Sequence, residues 1–177
     1  MKKAIFINLL LFTNFLIINC SSPNQVENEK LQSGQYYLSI NENSTKVLEH
    51  DQNGLKININ NQDLNRFKKV GSIYYSDLGA IGDGISDDMI FIRATHALAN
   101  HYGFDVKADD DAFYIISGKK GSAIISTNTD FGKATFIIDD TNVEDHTSSI
   151  FEVRSKKSVF KIDQIKSKKK GTKKNKP

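Results

Sequence analysis

The sequence of 177 residues contains one cysteine, two prolines and no tryptophan. A single cysteine excludes an internal disulfide framework. An unbroken apolar run of about 20 residues, the length that a membrane-spanning helix needs, is also lacking. What is present is the composition of an ordinary soluble domain, with 38% hydrophobic and 25% charged residues.

Several residue patterns of catalytic and metal sites are missing as well. His96 and His101 are five positions apart, so they do not share a helix face as zinc ligands at i and i+4 would. The acidic residues near Asp83 lack the spacing of a calcium-binding EF-hand loop, and no serine has a nucleophile-elbow context. We therefore predict no metal and no cofactor, and the sequence identifies no catalytic residue.

The first 19 residues have the pattern of a secretory signal peptide. A short basic start precedes an apolar run over 4–18, which fits a signal h-region of about 7–15 residues. The run ends at Cys20 and resembles a bacterial lipoprotein signal, with Ile17 as the aliphatic residue three positions before the cysteine. Asn19 departs from the small residue that such signals have just before it. The resemblance implies lipidation of Cys20, export and a membrane anchor in the cell envelope; an ordinary secreted protein or an uncleaved leader are the alternatives.

The net charge of +3 hides a segregation of charge along the chain. Positions 20–153 hold 11 basic and 20 acidic residues, whereas 154–177 hold 11 basic residues and one acid. A lysine-rich end with few apolar residues is typical of disorder, and we expect a disordered tail at 164–177. Lysine clusters also bind phosphates, but an exported protein rarely meets nucleic acid, so we predict no nucleic-acid partner.

Between the leader and the central motif we predict a polar tether at 20–34 and a small β segment at 35–70. Asn53-Gly54 is a strong hairpin signal, and 55–60 alternates apolar and polar residues as a half-buried strand does. We expect an antiparallel meander here. Tyr36 and Tyr37 either stack on a sugar or place one ring in a core.

The segment from Asp77 to Asp88 has the features of a sharp turn followed by a helix. Its three glycines allow positive φ. Ser86 is a good N-cap, which places the two aspartates that follow it in the first turn, where the helix dipole favours negative charge. The helix is expected over 87–102, with Ile90, Ala94, Ala97, Leu98 and His101 on one face and Gly103 as the residue that ends it.

This segment resembles the N-terminal motif of the pectate-lyase-like superfamily, whose members are right-handed parallel β-helix proteins. The matching residues are Asp77, Gly79, Ala80, Gly82, Asp83, Gly84, Asp87 and Asp88. The resemblance implies that these residues are structural and that the helix caps the open end of a β-helix.

Short β-prone segments follow, with turns at 109–111, 117–121 and 128–132. Apolar centres recur every 9 to 14 residues, at Ile115, Ile125, Ile137, Phe151 and Phe160. Such spacing is typical of a sandwich, a barrel or a solenoid, and the resemblance favours the solenoid. The predicted fold is mainly β: the start of a right-handed parallel β-helix over 71–163 with one N-terminal capping α-helix, preceded by a small β meander.

Three functions are compatible with this sequence. The first is a non-catalytic envelope lipoprotein whose β-helix opening binds polysaccharide or nothing. The second is the N-terminal part of a polysaccharide lyase or glycoside hydrolase, whose active residues would lie on later coils. The third, a phage tail-spike-like adhesin, fits poorly with a secretion leader. The sequence does not indicate an oligomeric state.

Overall fold

A computed structural model describes residues 27–31, 36–51, 54–117, 121–139, 149–154, 160–161 and 164–168. These residues are mainly β, in several sheets with two α-helices. The helices are α1 (Asn61–Val70) and α2 (Met89–Tyr102). The strands are β1 (Glu27–Lys30), β2 (Tyr36–Ile40), β3 (Leu48–Asp51), β4 (Gly54–Ile59), β5 (Ser72–Tyr74), β6 (Asp83–Asp87), β7 (Asp105–Lys107), β8 (Phe113–Ser117), β9 (Ala123–Ile125), β10 (Thr129–Asp130), β11 (Thr135–Asp139), β12 (Phe151–Val153), β13 (Phe160–Lys161) and β14 (Gln164–Lys168).

The first four strands form a mixed sheet in the order β1-β2-β4-β3. β3 and β4 pair antiparallel, with Asp51 opposite Gly54, as the predicted hairpin requires. The predicted meander is wrong, because β2 and β4 are parallel neighbours and β3 lies at the outer edge. Position 53 of the predicted turn lies outside the described residues.

Helix α1 was not predicted, since its positions were assigned to the small β segment. Its N-cap is Asn60, whose Oδ1 accepts a hydrogen bond of 2.6 Å from the N–H of Asp63. It ends at Gly71, which has φ +73° and donates its N–H to the carbonyl of Phe67. Leu64 and Phe67, three positions apart on one face, are the buried residues of the helix. The prediction of one helix is corrected to two.

The remaining strands form three sheets in which every pair is parallel. Their orders are β5-β7-β10-β13, β6-β8-β11-β14 and β9-β12. From β7 onward the chain visits the three sheets in turn, so each strand lies beside the strand one circuit earlier. The pairing registers are continuous between β8 and β11, with Phe113 opposite Thr135 and Ser117 opposite Asp139.

Four strands lie where other structure was predicted. β1 lies within the polar tether expected at 20–34, where it pairs with β2, and Leu31 beside it is buried. β6 occupies part of the expected turn and helix start, and β10 lies within the turn expected at 128–132. β14 pairs in parallel with β11, so the prediction of a disordered tail is wrong for 164–168. Positions 169–177 lie outside the described residues.

One continuous hydrophobic core joins the mixed sheet, both helices and the parallel sheets. Tyr75 lies within it, fully buried, with its ring centroid 5.4 Å from that of Tyr114 and 6.4 Å from that of Phe136. Phe131 extends this aromatic cluster, 4.8 Å from Phe136. Among the described residues, neither helix has the length and apolar character needed to cross a bilayer.

Candidate functional site

The first aspartate of the Asp77–Asp88 segment ties two neighbouring elements together. Its carboxylate accepts a hydrogen bond of 2.8 Å from the N–H of Tyr74 and one of 2.9 Å from the guanidinium of Arg66 on α1. Gly79 ends the short 3-10 helix Ser76–Leu78 with φ +101°. Both residues therefore shape the turn that enters the parallel sheets.

Two further glycines allow the chain to turn beside β8. Gly82 and Gly84 have φ of +66° and +72°, as their predicted role requires. A Cβ on Gly82 would lie 2.7 Å from the Cβ of Ala112, closer than two carbon atoms can approach. Only glycine fits this approach without a shift of the backbone.

The exposed carboxylate of Asp83 closes a local turn. It accepts hydrogen bonds of 2.8 and 2.7 Å from the N–H groups of Ile85 and Ser86, and one of 3.0 Å from the Ser86 hydroxyl. The Ser86 and Ile85 backbone hydrogen bonds lower the pKa of Asp83, because they favour its charged form. The Ser86 side chain is thus engaged in the turn, and its predicted role as helix N-cap is wrong.

Asp88 has no exposed surface and holds the loop against the start of α2. Its two oxygens accept hydrogen bonds of 2.7 Å from the N–H of Ile81 and 3.1 Å from the N–H of Gly82. Burial raises the pKa of Asp88, although these hydrogen bonds oppose the rise. Asp87 accepts from the N–H of Met89 at 3.0 Å. The helix begins at Met89, so neither aspartate lies in its first turn as predicted.

These contacts give the motif carboxylates structural partners in the backbone. Across the described residues, no group of three or more His, Cys, Asp or Glu side chains is placed to hold a metal ion. Cys20, the predicted lipidation site, lies outside the described residues.

Tyr75 and His96 form a buried pair in the core. The Tyr75 hydroxyl is 2.8 Å from Nε2 of His96. Burial lowers the pKa of His96 from 6.5 to about 3, so the ring is neutral. With no exposed surface on either side chain, this pair belongs to the core and is closed to a substrate.

An open cleft of about 270 Å³ lies between β2, α2, β9 and the end of β12. We call it the arginine cleft, and its lining residues are Tyr36, Arg93, Ala97, Asn100, Ser122, Ile124 and Arg154. None of these residues is acidic, and two are permanently charged cations.

Of the two cations in the lining, Arg154 has an acidic partner among the described residues, and Arg93 has none. Within the described part of the chain, its Nε is buried and has no hydrogen-bond partner. The guanidinium carbon lies 5.7 Å from the ring centroid of Tyr36, a cation–π distance. Burial raises the pKa of Tyr36 although the Arg93 charge opposes it, so the phenol is neutral. Tyr36 is 5% exposed, and of its two predicted roles the core position is the one observed, at the wall of the cleft.

Asn100, Ser122 and Arg154 of the arginine cleft have hydrogen-bond partners. The amide of Asn100 donates to the carbonyl of Ile124 at 2.7 Å and accepts from the N–H of Ser126 at 3.0 Å. The Ser122 hydroxyl donates to the carbonyl of Ser149. Arg154 pairs with Glu152, with N–O distances of 2.7 and 3.1 Å. Among the described residues that line the cleft, the Nε of Arg93 is the fully buried side-chain atom without a hydrogen-bond partner.

Sequence reasoning did not find this cleft, because its residues come from four separate stretches of the chain. One signal was available. Arg93 is the only Lys, Arg, Asp or Glu in α2, whose other residues are apolar, small or weakly polar. A lone cation on a helix that is otherwise largely buried indicates a specific role for its charge.

The chain has no match among protein-family models, curated proteins or solved structures.

Proposed function

We propose that the chain is an envelope lipoprotein, anchored through Cys20, whose folded part is the opening of a right-handed parallel β-helix, and that it binds polysaccharide without cleaving it. Three parallel sheets visited in turn by the chain support the β-helix. The positions of Gly79, Gly82 and Gly84 in the entering turn support the resemblance to the pectate-lyase-like superfamily.

The observation that carries the binding function is the arginine cleft, an open pocket with cations and no carboxylate in its lining. Glycoside hydrolysis typically uses a pair of carboxylates, and general base catalysis needs a group that is unprotonated near neutral pH and can accept a proton. Arginine stays protonated in proteins. The lining residues can therefore hold a ligand, whereas none of them is suited to take a proton from it.

The membrane anchor is tested by the intact mass of the full chain, extracted with detergent from the membranes of a bacterial host. We expect the mass of residues 20–177 plus acyl chains. The mass of an unmodified chain beginning at residue 20 or 21 would contradict lipidation, and a Cys20→Ala variant provides the matched control.

The binding function is tested with the same purified chain by affinity electrophoresis in gels that contain pectin, alginate, chondroitin or dextran. We expect slower migration in at least one gel and no release of reducing or unsaturated sugar ends. Release above that of a heat-killed sample would show an enzyme instead, as a lyase or hydrolase fragment would. Unchanged migration in every gel would contradict binding.

A further inference from the structure

We propose that an exposed apolar patch beside the entering turn docks a peptide segment that is both basic and apolar, supplied by a partner protein. The apolar patch consists of Ile81, which precedes β6, Ile85 in β6 and Phe113 at the start of β8. These side chains are 63%, 83% and 46% exposed. The patch lies outside the arginine cleft, and its role depends neither on lipidation nor on polysaccharide binding.

The apolar patch holds three of the six exposed large hydrophobic side chains among the described residues. Ile81 and Ile85 each adjoin a glycine that contacts Phe113. The carbonyl of Gly82 accepts the N–H of Phe113 at 2.8 Å, and a Cβ on Gly84 would lie 3.4 Å from that of Phe113. Single exposed apolar side chains are ordinary on a protein surface, whereas a contiguous group of them marks an interaction site.

Two carboxylates hold the backbone of the patch in place. The N–H of Ile81 donates to Asp88 at 2.7 Å, and the N–H of Ile85 donates to Asp83 at 2.8 Å. A surface that is already ordered loses little conformational freedom when it binds. Because the Ile85 N–H is engaged by Asp83, a partner contacts the Ile85 side chain and finds no free backbone donor there.

The charge around the patch selects a basic partner. Positions 81–88 and 109–117 together hold six aspartates and no lysine or arginine, and Asp83, Asp110 and Asp111 are exposed. Complementary charge steers a partner to such a surface, whereas like charges exclude one. The occupant therefore carries lysine or arginine beside its apolar side chains.

This chain supplies no suitable occupant of its own. A second copy that docked through the same patch would bring two sets of aspartates face to face, which is unfavourable. The lysine-rich end at 169–177 has five lysines but no aliphatic or aromatic side chain. It matches the charge of the surroundings and cannot cover the apolar surface, so a segment of another protein is the better fit.

The test measures the fluorescence anisotropy of labelled peptides with the full chain in nanodiscs of neutral phosphatidylcholine. Three peptides of equal length contain lysine and leucine, glutamate and leucine, or lysine and serine. We expect the lysine–leucine peptide to bind about tenfold more tightly than either of the others. Equal binding of the glutamate–leucine peptide would overturn the charge preference, equal binding of the lysine–serine peptide would overturn the apolar contact, and no binding of any peptide would overturn the site.

Variants then locate the site. Ile85→Ser should weaken binding of the lysine–leucine peptide about tenfold, and Asp111→Asn, which suits the positive φ of this position, should weaken it about threefold. The matched controls are Val70→Ser at the end of α1, where the side chain is 64% exposed, and Glu49→Gln on β3. All chains are compared in the same nanodiscs, so binding of the peptide to lipid cancels. Equal losses in Ile85→Ser and Val70→Ser would overturn the assignment.

Three further outcomes would assign the patch to another occupant and overturn the proposal. A dimer in sedimentation that Ile85→Ser dissociates would identify a second copy. Tighter peptide binding by a chain that ends at Lys168 would identify the lysine-rich end. Retardation in a polysaccharide gel that Ile85→Ser abolishes would identify a sugar polymer. Failure of the proposed function, with no retardation in any gel, would leave the result with the peptides unchanged.

Discussion

Asp88 and His96 are both fully buried, and each avoids the cost of an unpaired charge in a different way. Asp88 accepts two backbone N–H groups, whereas His96 stays neutral beside the Tyr75 hydroxyl. Burial penalises the charged form of both groups. At the residue scale, the stability of this protein therefore depends on pH through side chains that no ligand reaches.

The buried histidine predicts acid sensitivity. Its pKa is about 3 in the folded state and 6.5 when unfolded, so between these values the unfolded chain binds more protons. As pH falls from 6 to 4, His96 should lower the free energy of unfolding by about 1.4 kcal/mol per pH unit. Urea unfolding of the wild type at several pH values measures the slope.

The control is the double variant Tyr75→Phe/His96→Phe, which removes both partners of the hydrogen bond. Asp88, whose raised pKa gives an effect of opposite sign, is present in both proteins and cancels in the comparison. The variant should lose less stability on acidification. Parallel curves for the two proteins would contradict a neutral buried His96.

At the scale of elements, the junction of β6 and α2 depends on one carboxylate. Asp88→Ala should lower the free energy of unfolding by about 1–3 kcal/mol, because the N–H groups of Ile81 and Gly82 lose their acceptors. Asp83→Ala is the matched control, and it should cost less because water replaces its exposed hydrogen bonds. Chemical denaturation measures both, and an equal loss in the two variants would refute this role of Asp88.

The end of α2 could be predicted from the sequence, and its beginning could not. Gly103 ends the helix with φ +77°, as expected for a glycine that follows the last helical residue. Serine is a common N-cap residue, but the hydroxyl and N–H of Ser86 donate hydrogen bonds to Asp83. The strand therefore continues to Asp87, and the helix begins two residues later than predicted. Local propensity does not reveal which of two competing hydrogen-bond partners a side chain takes.

Strand β14 could not be predicted from the local sequence either. Its residues Gln164–Lys168 include one apolar side chain, so neither alternation nor hydropathy indicates a strand. The parallel pairing with β11 supplies the backbone partners that define it. The arginine cleft was beyond prediction for a related reason, since only the packing of α2 against distant strands brings Tyr36, Arg93 and Arg154 together.

At the scale of the whole molecule, the aromatic cluster fills the space between the parallel sheets. Phe136 is fully buried and contacts the rings of Tyr114, Phe131 and Phe151. Phe136→Ala should lower the free energy of unfolding by about 3–5 kcal/mol, the usual cost of removing a buried aromatic ring. Urea unfolding monitored by circular dichroism provides the measurement.

Phe113 is the matched control for this substitution, because it lies on the neighbouring strand with 46% of its surface exposed. Phe113→Ala should lower the free energy of unfolding by only about 1 kcal/mol, because nearly half of this side chain stays in water in the folded state. If both alanine variants lost similar stability, the interior position of the aromatic cluster would be wrong.

The parallel pairing also affects how the chain reaches its fold. Each parallel pair joins residues roughly 20 to 35 positions apart, so no strand of these sheets has its partner in a neighbouring hairpin. Loop-closure entropy must be overcome before any pair forms, and proteins dominated by such non-local pairings fold in milliseconds to seconds. β7, β8, β10 and β11 lie beside strands on both flanks, so each of them has to find two distant partners. Among the described strands, β14 has its backbone partners in β11 alone, so this strand can form only after β11 is in place.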